Sequence, residues 1–488
     1  MTTGETITIS KEEYQELLSF KSKADWLQFQ LNQLQRMLYG QKRERFVSPD
    51  PAQGVLFDLP AEEVSVSETE EITYTRNKPN KEKKHPLRAE LPSNLPRKIK
   101  VIEPEDILEN ARKIGESITE ILEYIPASAY VLQIVRPKYI IETDDEQTKI
   151  VIAPLPSLPI PKGNAGASMI AHILVSKFID HLPYYRQSKI FKRQNLHIPD
   201  STIGGWANTA IANWLAPLWE AMKAKMMETD YLMADETPIP VLTKDKPGAT
   251  HRGYHWAYYD PVRKMAVFDY QESRGREGPK TFLKDFEGTL HTDGYSAYDK
   301  LGSKINFLSC FAHARRKFDI ALENDPVRAK KALTIIQDLY KIEREASEAD
   351  LSYDQIKLLR QERAVPILNK FEKFLIEEMP GVLPKSAIGK AISYALKLWP
   401  RLKSYVNDGR FQIDNNLIEN SIRGIALGRK NYLFAGSHGG AKNAAIVYSL
   451  VTTCKINDID PFLWLKETLE IIPDYPANQL YKLIPGQK

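Results

Sequence analysis

Cysteine is almost missing. The 488 residues hold two, Cys310 and Cys454, which excludes a disulfide framework and any zinc site built on three or four thiolates. Long apolar runs are missing too. None approaches the ~20 residues that a membrane span needs, so no membrane is expected among the partners. The start, MTTGETITISKEEY, has no basic patch followed by an apolar stretch. No secretory leader is visible, and the chain reads as cytoplasmic. A surplus of one charge is also lacking: Lys+Arg 67 against Asp+Glu 63 leaves +4. Glycine is scarcer than proline, 24 against 31, which implies several stiff connections. What is present is ordinary for a globular protein with sizeable cores, 42% hydrophobic and 27% charged residues. At about 150 residues per domain, roughly three units are expected, too many for a small binding module.

Residues 8–46 read as a coiled coil. Ser10 to Glu13 has the form of a capping box. Leu17, Phe20, Ala24, Leu27, Leu31, Leu34 and Leu38 then follow at gaps of three and four, which keeps one apolar seam in line. Apolar residues off the seam, such as Trp26 and Phe29, leave an amphipathic helix on its own domain as the alternative. Residues 47–100 read as a charged flexible linker. Six acids and no base lie between Asp58 and Glu71, and nine bases and two acids between Arg76 and Lys100. Residues 101–160 read as a small domain with strand-like runs at Tyr130–Val135 and Tyr139–Ile141. Residues 166–228 read as helical. A turn near Leu196 to Pro199 and a cap cluster at Asp200-Ser201-Thr202 give the outline of a helix-turn-helix. An ordinary helical hairpin fits the pattern equally.

After residue 229 the period turns from helical to extended. Tyr231 to Ala234 is expected as a buried strand ending at Asp235. Gly253 to Tyr259 and Lys264 to Tyr270 are expected as a second and third, followed by helix PKTFLKDF. A fourth runs from Gly288 to Thr292 and ends at Asp293, and a fifth from Ile305 to Cys310. Three strands, a helix and a fourth strand is the order of an RNase H-like fold, an α/β class in which the first and fourth strands lie side by side with an acid at the end of each. Such carboxylates suit hard divalent cations. Magnesium binds through a few carboxylates and leaves other positions to water and phosphate, and two metals about 3.5–4 Å apart serve an in-line phosphoryl displacement. Each acid has a plainer reading: a turn acid before Pro238 for Asp235, an Asp-Gly turn for Asp293.

The third acid comes late. Residues 313–405 read as a helical insertion, 406–470 as the last part of the core and 471–488 as a tail. Asn416 is placed to cap a helix with Glu419 at its third position, so Glu419 has the plain reading of a capping-box partner. Yet Arg423 lies one turn on and GRKNYLFAGSHGGAKNAA follows. A carboxylate beside a basic, glycine-rich stretch suits a metal ligand next to a bound phosphate backbone, since glycines let backbone amides approach phosphates. Asp414 is the rival third ligand.

These segments resemble a known family. QRMLYGQKRERF, LPSNLPRKIKVIEPED, EYIPASAYVLQIVRPKY, HLPYYRQSKIF, ADETPIPVL, HTDGYSAY, CFAHARRKF and the long DNNLIENSIRGIALGRKNYLFAGSHGGAKNAAIVYSLVTTCKINDIDPFLWL are similar to the DDE transposases of the insertion sequence sixty-six family. The resemblance spans nearly the whole chain. It implies an RNase H-like core with Asp235, Asp293 and Glu419 as catalytic and metal-binding triad, and two magnesium ions with manganese as a substitute. It implies cleavage and strand transfer at terminal inverted repeats, with those repeats and target DNA as partners. A Cys-x-x-His pair follows the second Asp in related transposases, and Cys310 and His313 match it, as core support or as strand-end packing. Arg423, Arg429 and Lys430 are expected on phosphates, and Lys189, Lys192 and Arg193 near the helix-turn-helix-like pair on the repeats. The coiled coil is expected to pair subunits into a homo-oligomer. Accessory proteins encoded by the element are further candidate partners, and the nucleoid is the expected place of work. One departure stands out. The family's zinc-binding region carries CxxC pairs, whereas Pro104 to Glu146 has neither Cys nor His. No zinc is expected there, and that small domain would fold by burying Leu122, Tyr124, Val131 and Ile134. Two other functions stay open: an RNase H-like nuclease or resolvase that cuts without joining, and a non-catalytic DNA-binding regulator.

Overall fold

The computed structural model describes residues 130–135, 138–142, 148–152, 154–161, 163–243 and 249–486. The expected coiled coil, the charged linker and most of the small domain, with Leu122 and Tyr124, lie outside the described residues. Two compact units divide at Gln133, and the described strands and helices all belong to the second. Its first element is a two-stranded antiparallel ladder, β1 (Lys138–Glu142) on β2 (Thr148–Ile152), with Ile140 opposite Ile150. Tyr139–Ile141 is therefore extended as expected. Tyr130–Val135 is not: it forms no strand, Val131 is 93% exposed, and Ile134 is exposed as well. An apolar run signals a strand only if a partner strand pairs with it, and this one has none.

Helices α1 (Ala167–Phe178), α2 (Tyr184–Arg193), α3 (Asp200–Ala210) and α4 (Ala216–Met226) follow. A π-helical turn, Ile211–Leu215, joins α3 to α4 without a break. Ile203, Ala210 and Leu218 on the predicted face are buried, with Trp206 and Trp214 partly so. The predicted cap cluster does not cap: Pro199 holds the N-cap position, and Asp200 Oδ1 accepts only from Ser201 N–H.

The centre is a five-stranded mixed sheet in the order β5-β4-β3-β6-β7. Its strands are β3 (Tyr231–Leu242), β4 (Thr250–Asp260), β5 (Met265–Gln271), β6 (Gly288–Thr292) and β7 (Ile305–Ser309). β3, β4 and β5 are antiparallel neighbours, while β6 runs parallel to β3 and to β7. Helix α5 (Glu277–Phe282) connects the two halves. Its Phe282 stacks on Tyr258 of β4 with ring centroids 3.8 Å apart. Strand β3 is longer than expected, because Pro238 and Pro240 do not end it. Both lie beyond the last residue of β3 that pairs with β6, and their carbonyls face that side, where they accept from Arg429 and from Ala435 N–H, so a missing N–H costs no ladder bond.

Between β7 and the last helices, the insertion forms a second hydrophobic core from α6 (Phe311–Ala321), α7 (Pro326–Glu348), α8 (Tyr353–Leu359), α9 (Val365–Glu378) and α10 (Ala387–Lys403). Phe371 and Trp399 sit at its middle. Inside it Arg360 is buried and makes four hydrogen bonds, to Glu343 and to the carbonyls of Tyr405 and Asp408. The chain then returns to the sheet with α11 (Asn416–Tyr432), α12 (His438–Ile456) and α13 (Pro461–Ile471). The tail is part of the main core, since Leu480 and Ile484 are buried in it.

Candidate active site

Strand register decides where the first two acids stand. Met233 is level with His291 in the parallel β3–β6 pair. Two residues further along come Asp235, inside β3, and Asp293, the first residue after β6. Asp293 heads a tight turn: its Oδ1 accepts from Tyr295 N–H at 2.7 Å, and Gly294 follows at φ +89°. A Cβ on Gly294 would meet Leu398 at 2.6 Å, so helix α10 presses on this turn. Tyr394, also on α10, donates to the Asp293 carbonyl at 2.7 Å. The plain reading of an Asp-Gly turn thus holds for one carboxylate oxygen of Asp293 and leaves the other outside it.

The third acid is carried by α11, whose buried Ile418, Ile422 and Ile425 face the core. The capping box predicted for Asn416 and Glu419 is absent. Asn415 is the N-cap residue and makes no side-chain cap, and Asn416 donates to Asp414 instead. Glu419 is left free for other work. Its Oε1 is buried without a hydrogen-bond partner and lies 3.9 Å from His313 Nδ1, which is equally without one. Asp414, the rival ligand, is occupied: it accepts from Asn416 N–H, from the Asn416 amide and, at 2.9 Å, from Tyr340 of the insertion.

Asn415, which sequence reasoning missed, ties these pieces together. It is fully buried and donates from Nδ2 to the Ala234 carbonyl at 3.1 Å, next to Asp235. Its backbone N–H donates to Cys310 Sγ at 3.2 Å, and Cys310 N–H donates to Thr292 beside Asp293. Cys310 therefore links the ends of β6 and of α11's entry turn. Burial pushes its thiol up to about 12, so it stays protonated. Asn415 Oδ1 is a further buried oxygen without a partner.

Electrostatics couple the group. Burial, then the charges of Glu236, Asp293 and Glu419, push the Asp235 carboxyl well above its ordinary range, against a hydrogen bond from Glu236 N–H. Burial lowers His313, while Glu419 and Asp293 pull it back up. Glu236, the next acid along β3, faces the opposite side of the sheet. There it is held by Arg274 Nε at 2.8 Å and Tyr298 OH at 3.0 Å. It is a second residue the sequence reading missed, and its partners make it structural. Among the described residues, no group of three or more His, Cys, Asp or Glu side chains is placed so that it could hold a metal ion.

The expected phosphate contacts fall in two places. Arg423 and Lys430 are exposed on α11, whereas Arg429 is partly buried and donates to the Pro238 carbonyl of β3. Lys189, Lys192 and Arg193 are exposed on α2, the first helix of the helix-turn-helix-like pair. The exposed positions of α3, including Ser201, Gly205 and Asn208, carry no base. The structure does not bring the α2 bases and the α11 bases together. Among the described residues, no helix is long and apolar enough to cross a membrane.

Comparison with known proteins adds a second line of argument. The profile described as "Transposase IS66 family" matches residues 162–443. "Transposase C of IS166 homeodomain" matches 26–99 and "IS66 C-terminal element" 449–485. The uncharacterized protein y4jD of Sinorhizobium fredii is 30% identical over 93% of this chain and 92% of its own length. Two further uncharacterized proteins of that organism are similar: y4hP is 31% identical over 94% of this chain and 88% of its own, and y4qI 32% over 93% and 87%.

Proposed function

This chain belongs to the IS66 transposase family, and from that premise we propose that it is a DDE transposase that cuts and joins DNA strands at the terminal inverted repeats of a bacterial insertion sequence. Its sheet would be the RNase H-like core, with the catalytic acids Asp235, Asp293 and Glu419. The observation that carries the reading is the buried Glu419 oxygen without a partner, on a helix whose entry turn is hydrogen-bonded to Ala234 beside Asp235.

The donor set fits hard cations. It offers oxygen ligands, and burial first, then the charges of Glu236, Asp293 and Glu419, raise the Asp235 carboxyl, which a bound cation would offset. Asp235, Asp293 and Glu419 would hold divalent ions, magnesium with manganese as substitute, once their side chains close on them. Such ions supply charge stabilisation for the attacking and leaving oxygens of an in-line displacement at phosphorus. The chain's own residues do the rest. Asn415 and Cys310 fix the entry of α11 against β3 at Ala234 and against the end of β6. His313, neutral through burial, faces Glu419 and adds no positive charge to compete for its oxygen. Arg423, Arg429 and Lys430 would hold the DNA backbone, and Lys189, Lys192 and Arg193 the repeats. Phosphate contacts of this kind position DNA without reading its sequence. In the first step water attacks a phosphodiester and leaves a 3′-hydroxyl. In the second that hydroxyl attacks a phosphodiester of target DNA, and the target's own P–O3′ bond breaks and frees its 3′-hydroxyl. The N-terminal coiled coil would pair two copies, since two element ends must meet.

Asp293→Asn tests this. It should abolish strand transfer on DNA carrying the element's ends and leave DNA binding in a gel-shift assay unchanged. Full transfer activity in that variant refutes the assignment. Cut but unjoined strands from the wild type point to a nuclease, and no metal-dependent nicking at all to a regulator.

A further inference from the structure

Along β3 from Asp235, and along α11 from Glu419, lies a recess of about 480 Å³. Pro238 and Pro240 of β3 and Leu433 at the end of α11 give it apolar walls, and Arg252 of β4, Arg429 and Lys430 give it charge. We propose that this cleft takes one unpaired nucleotide of the DNA strand that runs to the carboxylates, its base on the apolar walls and its phosphate on the basic side chains. The inference deepens the transposase reading and rests on it for the path of the strand.

Among the described residues, nothing neutralises the cleft as a merely structural cluster of bases would be neutralised. No ion pair joins Arg252, Arg429 or Lys430 to a carboxylate among the described residues. Arg429 is held below its usual range by burial and by the charge of Arg252. Two guanidiniums that line one recess, close enough for their charges to oppose each other, attract an anion. A duplex backbone, however, needs only bases on an open surface. A concave recess with apolar walls suits a group that has left the stack, because every base has an apolar face to set against it.

The rim carries strain as well. Leu433 stands at φ +62°, ψ −44°, and Phe434 N–H donates to the Tyr432 carbonyl at 2.6 Å. That is a γ-turn of the rare positive-φ kind, costly for a side chain with a Cβ. It leaves Leu433 64% exposed at the mouth of the recess.

Position fits the same strand. Pro238 is about 10 Å along β3 from Asp235 at ~3.3 Å per residue, roughly three nucleotides at ~3.4 Å of axis each. On α11, Glu419, Arg423, Ala426 and Lys430 share one flank by helical spacing, so the carboxylate flank leads into the cleft.

The test is fluorescence anisotropy with the full chain in EDTA, where no chemistry occurs. A labelled blunt duplex is compared with the same duplex ending in a short unpaired stretch on either strand. The wild type should bind one unpaired end about tenfold more tightly than the blunt end, and 2-aminopurine in that stretch should change its emission on binding. Arg252→Ala should bring the ratio to about one. Leu433→Gly, which relieves the turn and so keeps the fold, should lower it as well. Equal affinity of the wild type for both DNAs overturns the proposal. So does an Arg252→Ala loss of equal size on both, which marks a plain duplex contact. No preference in the wild type together with intact strand transfer sinks the cleft alone, and a wild-type preference without transfer sinks the catalytic reading alone.

Discussion

His255 and His291 lie wholly inside the main core, and burial pushes each down to about 3. Both are neutral in the fold and regain an ordinary value near 6.5 on unfolding. Their folded pKa is depressed, so the stability they contribute is present above 6.5 and is lost as pH falls from there toward 3, by up to about 1.4 kcal/mol per pH unit for each. The raised carboxyls of Asp235, Glu236 and Asp269 work the other way, gaining protons in the fold as pH falls. A single variant isolates one histidine. His255→Phe, set against the rings of Tyr270 and Tyr448, should lose about 1–2 kcal/mol less than wild type in urea unfolding between neutral pH and pH about 5. Equal losses contradict it. At this scale the sequence marked Asp235 and Asp293 as acids at strand ends and Glu419 as an acid beside a basic stretch; Asp293 does follow β6, but Asp235 lies inside β3, which continues to Leu242. It did not mark Asn415 and Glu236, because their roles come from contacts with residues distant in the chain: Ala234 and Cys310 for one, Arg274 and Tyr298 for the other.

Among the elements, β5 shows how a sheet edge is closed. It pairs only with β4. On its free side Phe268 N–H donates to Ser449 Oγ at 2.8 Å and Ala266 N–H to Thr453 Oγ1 at 3.1 Å. Both hydroxyls sit on α12, four residues apart, fully buried. The helix thus supplies acceptors where a neighbouring strand would, and leaves no open edge to pair with another chain. Ser449→Ala orphans a buried N–H and should cost about 1–3 kcal/mol in denaturant unfolding. A change within about 0.5 kcal/mol contradicts this role. Periodicity marked the strands well, and β6 has the expected bounds of Gly288 to Thr292. It could not mark Ser449 and Thr453, whose hydroxyls matter only against β5. Nor did it foresee that β3 continues through Pro238 and Pro240, since edge position is a property of the sheet and not of the strand.

In the whole molecule the insertion braces the site. Tyr394 and Leu398 of α10 bear on the Asp293 turn, and Tyr340 of α7 holds Asp414 at the entry of α11. Helices far from the chemistry in sequence therefore fix where strand and helix acids stand. Family membership was readable from the long motif after Asp414, whereas the bracing was not, because helical periodicity names a buried face and not its target. The central claim is that Asp235, Asp293 and Glu419 share one cation site, and that Asp414 stays outside it. Counting Mn²⁺ bound to the full chain by electron paramagnetic resonance tests it most directly. Wild type and Asp414→Asn should bind manganese alike, while Asp235→Asn, Asp293→Asn and Glu419→Gln should each lose it. If Glu419→Gln binds as wild type does and Asp414→Asn does not, the third ligand is Asp414 and the shared site of the other three is refuted.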